Sequence, residues 1–162
     1  MCPMLIRARL LSAADLRLQQ STGGVMNEAN KTLVKRFVTE YQTNGDEAVL
    51  NELLAANVVD HSAFPGQAAG RAGVKHIFDA FHSAFSEFHA DIHDQVAESD
   101  KVVTRKTFHG THTGEWMGIP PTGHDVEIGV IDIVRIASGQ IVEHWNQIDQ
   151  LGLMRQLGAT DG

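Results

Sequence analysis

The sequence contains a single cysteine, Cys2, among its 162 residues. One thiol excludes a disulfide within the chain and is typical of proteins from a reducing compartment. The chain has no apolar run long enough to span a bilayer. Charged residues interrupt the partly apolar N-terminus, where a secretory signal peptide would be uninterrupted: Arg7, Arg9, Asp15 and Arg17. We therefore expect a cytoplasmic protein with no membrane partner.

Positive charge is also scarce, with 13 Lys and Arg against 20 Asp and Glu, a net charge of −7. This balance, without any basic stripe interleaved with aromatic residues, argues against nucleic acid as a partner.

A cluster of glycines lacks the following Lys-Ser/Thr pair of a phosphate-binding loop: Gly110, Gly114, Gly118 and Gly123. We expect these glycines to serve turns.

The nine histidines do not show the spacing of a metal site. His89 and His93 share one face of a predicted strand but lie far apart along it. His109 and His112 point to opposite faces of the next predicted strand. Because no cysteine joins them either, we expect no metal.

Length and composition predict one globular domain with its own core, since 43% of the residues are hydrophobic and 20% are charged. We assign this domain to residues 26–162. Residues 1–25 end in the linker-like run QQSTGG and are predicted to form a weakly ordered arm.

The spacing of apolar residues predicts three helices followed by strands. The first helix is expected to begin near Asn27 or Asn30, either of which can cap it, and to stop at Gly45. Asp46 caps a short second helix, and a third covers residues 71–86.

Beyond the third helix the apolar period changes to that of strands. Four strands are predicted, at residues 88–98, 101–113, 126–136 and 140–149, after a short extended piece at residues 58–61. Helices followed by an antiparallel meander predict an α+β fold with the helices on one face of the sheet. A strongly curved sheet under helices forms a cone that encloses an apolar pocket.

One carboxylate interrupts the apolar face of the strand at residues 126–136. Side chains alternate along a strand, so the even-numbered residues share a face, and Asp132 is its only polar member. Burying an acid is costly unless it is paired, neutralised or used. Two interpretations stay open: a catalytic acid, or a structural acid tied to a neighbouring strand or loop.

Several segments together resemble a known family: VVDHS, GRAGV, GTHTGEWMGIPPTG, IDIVRI and GQIVEHW. They are similar to the SnoaL-like polyketide cyclases of the NTF2-like superfamily, over about residues 27–149. The resemblance implies a cone-shaped α+β barrel and a homodimer formed through the outer face of the sheet. It also implies acid–base chemistry on a bulky hydrophobic substrate, without metal or organic cofactor. Characterised relatives close a polyketide ring by intramolecular aldol condensation.

An aldol closure needs a base, an acid and donors for the enolate oxygen. We assign Asp132 as the acid/base, with a pKa raised by burial, and His61 and His112 as candidate donors. The candidate substrate-binding residues are Phe64, Trp116, His144 and Trp145. Trp116 lies in a loop, where it is either a lid or a packing plug.

Two classes of function remain open from the sequence. The first is a cofactor-free enzyme of the cyclase, isomerase or lyase kind. The second is a non-catalytic binding or dimerisation module whose pocket holds an apolar ligand. Within enzymes, an epoxide hydrolase or hydroxylase is the alternative. A hydrolase would need a second carboxylate and an arginine, and Arg105 is the candidate for the arginine.

The apolar Ile131 and Ile133, on the side away from the pocket, favour a homodimer.

Overall fold

Five strands form one curled, open sheet in the computed structural model, which describes residues 13–160 and the side chains of residues 23–160. The strands are β1 (Leu54–Asp60), β2 (Phe85–Glu98), β3 (Lys101–His112), β4 (Asp125–Ala137) and β5 (Gln140–Ile148). Their order across the sheet is β1-β5-β4-β3-β2. The predicted meander is confirmed, since β2 to β5 pair antiparallel in chain order. The predicted extended piece is the end of β1, which pairs in parallel with β5.

The helical elements are α1 (Ala13–Arg36), a π-helical segment (Phe37–Thr43), α2 (Glu47–Leu53), α3 (Gly70–Ala84) and α4 (Gln150–Gln156). Helices before a curled sheet confirm the predicted α+β class. Asp46 caps α2 as predicted, accepting hydrogen bonds from the backbone N–H groups of Ala48 and Val49. The sequence analysis missed α4, because two turns with a glycine carry little periodic signal.

The predicted start of the first helix is wrong, because α1 begins at Ala13 rather than near Asn27 or Asn30. Gly23 and Gly24 lie inside this helix despite their poor helix propensity. Asn30 is buried instead of capping, and its Nδ2 donates to the carbonyl of Ser99 at 3.3 Å. The part of the predicted arm before residue 13 lies outside the described residues.

We expect a protein that starts at Met26 to keep the fold. Val25 and Met26 are 71% and 59% exposed, so this stretch of α1 stands away from the core. Its thermal midpoint, followed by circular dichroism, should lie within a few degrees of that of the full chain. A fall of more than about 5 °C, which for a domain of this size means more than about 1 kcal/mol, would show that the removed residues pack against the domain.

The core lies between the helices and the inner face of the sheet. All even-numbered residues of β4 from Val126 to Ile136 are buried, as the alternation predicts. Trp116 stacks on Phe81 with ring centroids 4.5 Å apart, inside a cluster of aromatic side chains. Of the two roles open for Trp116, the structure therefore shows the packing plug.

The outer face of the sheet is partly apolar. Ile131 is 46% exposed there, and Ile133 pairs across the strands with Trp145. The homodimer through this face stays a prediction.

Among the described residues, no helix combines the length and the apolar character needed to cross a bilayer.

Candidate active site

A pocket opens between the helices and the inner face of the sheet. Its cavity volume is about 70 Å³, and the empty space counted with the open mouth is about 800 Å³. Its walls are mostly aliphatic and aromatic side chains from α1, the π-helical segment, α3 and the inner faces of β3 to β5. A short list of polar residues interrupts this lining: Gln42, Asp60, Ser62, Gln67, Lys106, Asp132, His144 and Asn146.

Asp132 faces this pocket and is only 6% exposed. Thr104 of β3 lies directly opposite it, so Lys106, two residues along, projects on the same inner face as a diagonal neighbour. The Lys106 Nζ donates to Oδ2 of Asp132. Asp132 is therefore the carboxylate of a buried ion pair.

Lys106 is 2% exposed, and its ammonium has two hydrogen-bond acceptors and an aromatic ring as neighbours. Besides Asp132, it donates to Oε1 of Gln42 at 2.6 Å. It also lies over the ring of Phe108, 4.8 Å from the centroid, in a cation–π contact. Gln42 comes from the π-helical segment, an irregularity that occurs often at functional sites.

The sequence analysis missed Lys106, although a signal was present. Its strand alternates buried residues at Val102, Thr104, Lys106 and Phe108, so parity alone places the lysine on the inner face. A lysine at such a position needs an anionic partner. Asp132, on the apolar face of the next strand, was the available one.

His144 links Asp132 to a second carboxylate. Its Nε2 lies 3.3 Å from Oδ1 of Asp132, and its Nδ1 lies 3.0 Å from Oδ1 of Asp60. The parallel pairing of β1 and β5 sets His144 directly beside Asp60. Gln67 and the backbone N–H of Ser62 donate to Asp60 at 3.1 Å each, which fixes that carboxylate.

The expected rise in the pKa of Asp132 is wrong. Burial by itself raises the pKa, but the charge of Lys106 and the hydrogen bonds from His144 and Lys106 outweigh it and lower the pKa to about 2. The carboxylate is therefore ionised at neutral pH. Desolvation alone, without the buried cation, accounts for the expectation of a raised pKa.

The pKa of His144 moves in the opposite direction. Burial lowers it, but the hydrogen bonds that His144 donates to Asp132 and Asp60, together with their negative charges, raise the pKa to about 9. The pKa of Asp60 is lowered, since the hydrogen bond and charge of His144 outweigh the effect of burial. At neutral pH the network thus holds two carboxylates and two cations, Asp60, Asp132, His144 and Lys106.

Three of the predicted site residues line the pocket: Asp132, His144 and Phe64. His61 does not, because its ring is exposed, stacks on Trp145 at 4.5 Å and lies 3.0 Å from Oε2 of Glu143. Trp145 occupies the outer face, opposite Ile133. Neither can serve the pocket from there.

His112 and Trp116 are also outside the pocket lining. His112 is completely buried, with Nδ1 bonded to Thr122 and its ring 5.3 Å from that of Phe85. Burial lowers its pKa, so His112 is a neutral packing residue. Trp116 lies beside a smaller cavity together with Phe64.

A comparison with protein families places residues 32–157 in the SnoaL-like polyketide cyclase family. The chain belongs to this family. The match confirms the resemblance read from the sequence and contains the whole polar network described above.

Curated relatives include the aklanonic acid methyl ester cyclases DauD of Streptomyces sp. (strain C5) and DnrD of Streptomyces peucetius. Each is 30% identical over 131 residues, covering 78% of this chain and 80% and 88% of the relative. The structure of TsrD from Streptomyces laurentii matches with a TM-score of 0.75 and 32% identity, over 82% of this chain and 97% of that one.

A further solved structure with a similar fold is named for a different reaction. AclR of Streptomyces galilaeus, described as a putative hydroxylase, has a TM-score of 0.75 and 26% identity, over 84% of this chain and 89% of that one. Family membership therefore supports an enzyme of the cyclase type, while the reaction has to be argued from the side chains in the pocket.

Proposed function

We propose that this SnoaL-like protein closes a ring in a bulky, hydrophobic carbonyl compound by intramolecular aldol addition, without a cofactor in the pocket. The observation that supports this most is the buried network of Lys106, Asp132 and His144 within otherwise apolar walls. It supplies a base, an acid and a cation within one site. An apolar ligand alone would be held by the walls and would gain little from these charges.

In the first step, the carboxylate of Asp132 removes the proton next to a substrate carbonyl. Protonation of Asp132 leaves the Lys106 ammonium without its anionic partner at the moment when an enolate oxygen becomes negative. Lys106 then stabilises that oxygen, so the net charge of the pocket is unchanged. Preorganised charge of this kind is worth more in a water-poor site than in solution.

In the second step, the enolate carbon attacks a second carbonyl of the same molecule, and the new C–C bond leaves an alkoxide. The imidazolium of His144 donates its proton to this oxygen. The proton held by Asp132 then passes to His144, whose Nε2 lies 3.3 Å away. Both groups return to their starting state, and the product is an isomer of the substrate.

The apolar walls favour a substrate that is itself largely hydrocarbon. Both DauD and DnrD are named for aklanonic acid methyl ester, and we propose a related polyketide ester as the substrate class here. A multi-ring ligand is larger than the cavity volume of about 70 Å³, so side chains at the pocket must move when it binds. Phe64, half-buried in the loop between β1 and α3, is one that can do so.

Arg105, the candidate arginine for an epoxide hydrolase, does not line the pocket. Arg105 is exposed on the outer face, where it donates to Asp94 at 2.7 Å. A second carboxylate does exist in Asp60, but His144 holds it rather than an arginine. We therefore retain the cyclase as the proposal and the non-catalytic binder as its competitor.

The test is to incubate the purified protein with aklanonic acid methyl ester and follow the products by chromatography and mass spectrometry. We expect a product of unchanged mass and altered retention, formed faster than in buffer alone. Arg105→Gln, on the outer face, should have the wild-type rate. Saturable binding without any isomer, or an undiminished rate in Asp132→Asn, would contradict the proposal.

A further inference from the structure

Three side chains converge on the outer face of the sheet, away from the pocket. His89 of β2 lies directly opposite His109 of β3, and their rings stack with centroids 5.1 Å apart. The carboxylate of Asp91 completes the group, and one ligand atom from each of the three residues lies within 4.8 Å of the other two. Nε2 of His109 and Oδ2 of Asp91 are 3.4 Å apart. A tetrahedral zinc ion with bonds of about 2.1 Å needs its ligand atoms about 3.4 Å apart.

The ring of His89 is held in the tautomer that a metal ligand requires. Its Nδ1 lies 2.7 Å from the carbonyl oxygen of Glu87. Because a carbonyl oxygen only accepts, Nδ1 must carry the proton, and Nε2 of the neutral ring keeps its lone pair. A metal-binding histidine usually donates its other N–H to a carbonyl or carboxylate in this way.

His109 lies between two carboxylates. Its Nε2 faces Asp91, while its Nδ1 lies 3.9 Å from Oε1 of Glu127. Glu127 lies directly opposite His109 on β4, so His89, His109 and Glu127 form one row across three strands. A small rotation of the exposed Glu127 side chain would complete the hydrogen bond that orients the ring.

An irregularity in β2 sets the position of His89. The pairing of β2 with β3 shifts register between Ser86 and His89, and Glu87 within this bulge has a φ of 53°. A non-glycine residue with positive φ is strained. Bulges re-aim side chains and are frequent beside functional sites. Here the bulge turns the Glu87 carbonyl towards the imidazole of His89.

We propose that His89, Asp91 and His109 form a binding site for one divalent transition-metal ion, with water in the fourth position. Two imidazoles and one carboxylate suit Zn²⁺, Cu²⁺ or Ni²⁺ rather than Mg²⁺ or Ca²⁺. The spacing of histidines within one strand does not reveal this pair, because His89 and His109 meet between two strands. Its ligands lie on the face opposite Asp132, so the site is separate from the proposed chemistry.

The test is calorimetric titration of the full chain with Zn²⁺, in a Cys2→Ser background that removes the free thiol as a competing ligand. We expect one equivalent to bind, and His89→Asn and His109→Asn each to weaken binding by more than roughly tenfold, since even outer partners typically contribute 10–100-fold. Glu127→Gln should weaken it by about tenfold for that reason. Mg²⁺ at the same concentrations should not compete.

His93→Asn is the matched control, because His93 lies on the same strand but its Nε2 bonds to Thr107 at 2.8 Å. Its affinity for Zn²⁺ should equal that of the parent protein. Electron paramagnetic resonance of the Cu²⁺ form should show two coordinated nitrogens in the parent and one in His89→Asn. No saturable binding below millimolar Zn²⁺, or equal loss in His93→Asn and His89→Asn, would overturn the proposal. Thermal melts without metal identify any variant that fails to fold, and Asp91→Asn then replaces it.

Discussion

Asp132→Asn is expected to reduce turnover at least about a hundredfold, the usual contribution of a positioned acid or base, and also to destabilise the fold. The asparagine keeps the shape but leaves the Lys106 ammonium buried without its anion. Removing one partner of a buried ion pair typically costs about 3–5 kcal/mol. Urea unfolding of wild type and variant at pH 7 measures this difference directly.

Lys106 provides the matched control for that measurement. Lys106→Met has a similar length without the charge, so the double variant with Asp132→Asn removes both members of the pair. Replacement of a buried ion pair by uncharged groups is often nearly neutral for stability. We expect the double variant to recover most of the lost stability and none of the lost turnover. Recovery of activity together with stability would mean that Asp132 acts only through the fold.

The pH dependence of the stability effect has a definite sign. The pKa of Asp132 is lowered from 3.8 to about 2 in the folded protein. Its contribution to stability is therefore fully present above about pH 4 and is lost as the pH falls through about 2. The stability difference between wild type and Asp132→Asn should be constant between about pH 4 and 6.5, below the range in which His144 titrates, and shrink in acid. The sequence alone led to the opposite expectation for Asp132, a pKa raised by burial.

The alternation of residues along one strand predicts the burial of Asp132 but not the direction of its pKa shift. The alternation of β4 correctly placed Asp132 among buried residues, because strand parity is a local property. The sign of its pKa shift depends on Lys106, 26 residues earlier in the chain. Only the register of β3 with β4 brings the two together, and register is set by pairing across the whole sheet.

Parity could have corrected two of the proposed site residues. His144 and Trp145 are adjacent in one strand, so they cannot both face the pocket, and the structure puts only His144 there. The same holds for Asp60 and His61, at the end of β1. In each case the residue on the inner face is the one that joins the buried network. His144 is hydrogen-bonded to Asp132, and Asp60 is hydrogen-bonded to His144. The contribution of Gln42 depends on the π-helical turn, which has no simple sequence signal.

His144 should set the alkaline limit of the reaction. As the proposed acid it must be protonated, and its pKa is raised to about 9 by the hydrogen bonds and charges of Asp132 and Asp60, which outweigh its burial. We expect kcat to be constant through neutral pH and to fall above about pH 9. His144→Gln should lose roughly a hundredfold or more in kcat and with it the alkaline decline.

Asp60→Asn separates His144 from Lys106 as the origin of this decline, because Asp60 contacts His144 and Ser62 but not the lysine. Loss of one carboxylate lowers the pKa of His144, so the alkaline limb should move to lower pH. Stability gives a second readout with a fixed sign. A histidine whose pKa rises from 6.5 to about 9 on folding stabilises fully below about pH 6.5 and loses this contribution as the pH rises through about 9. The stability gap between wild type and His144→Gln should close over that range, and an unmoved alkaline limb in Asp60→Asn would assign the decline to another group.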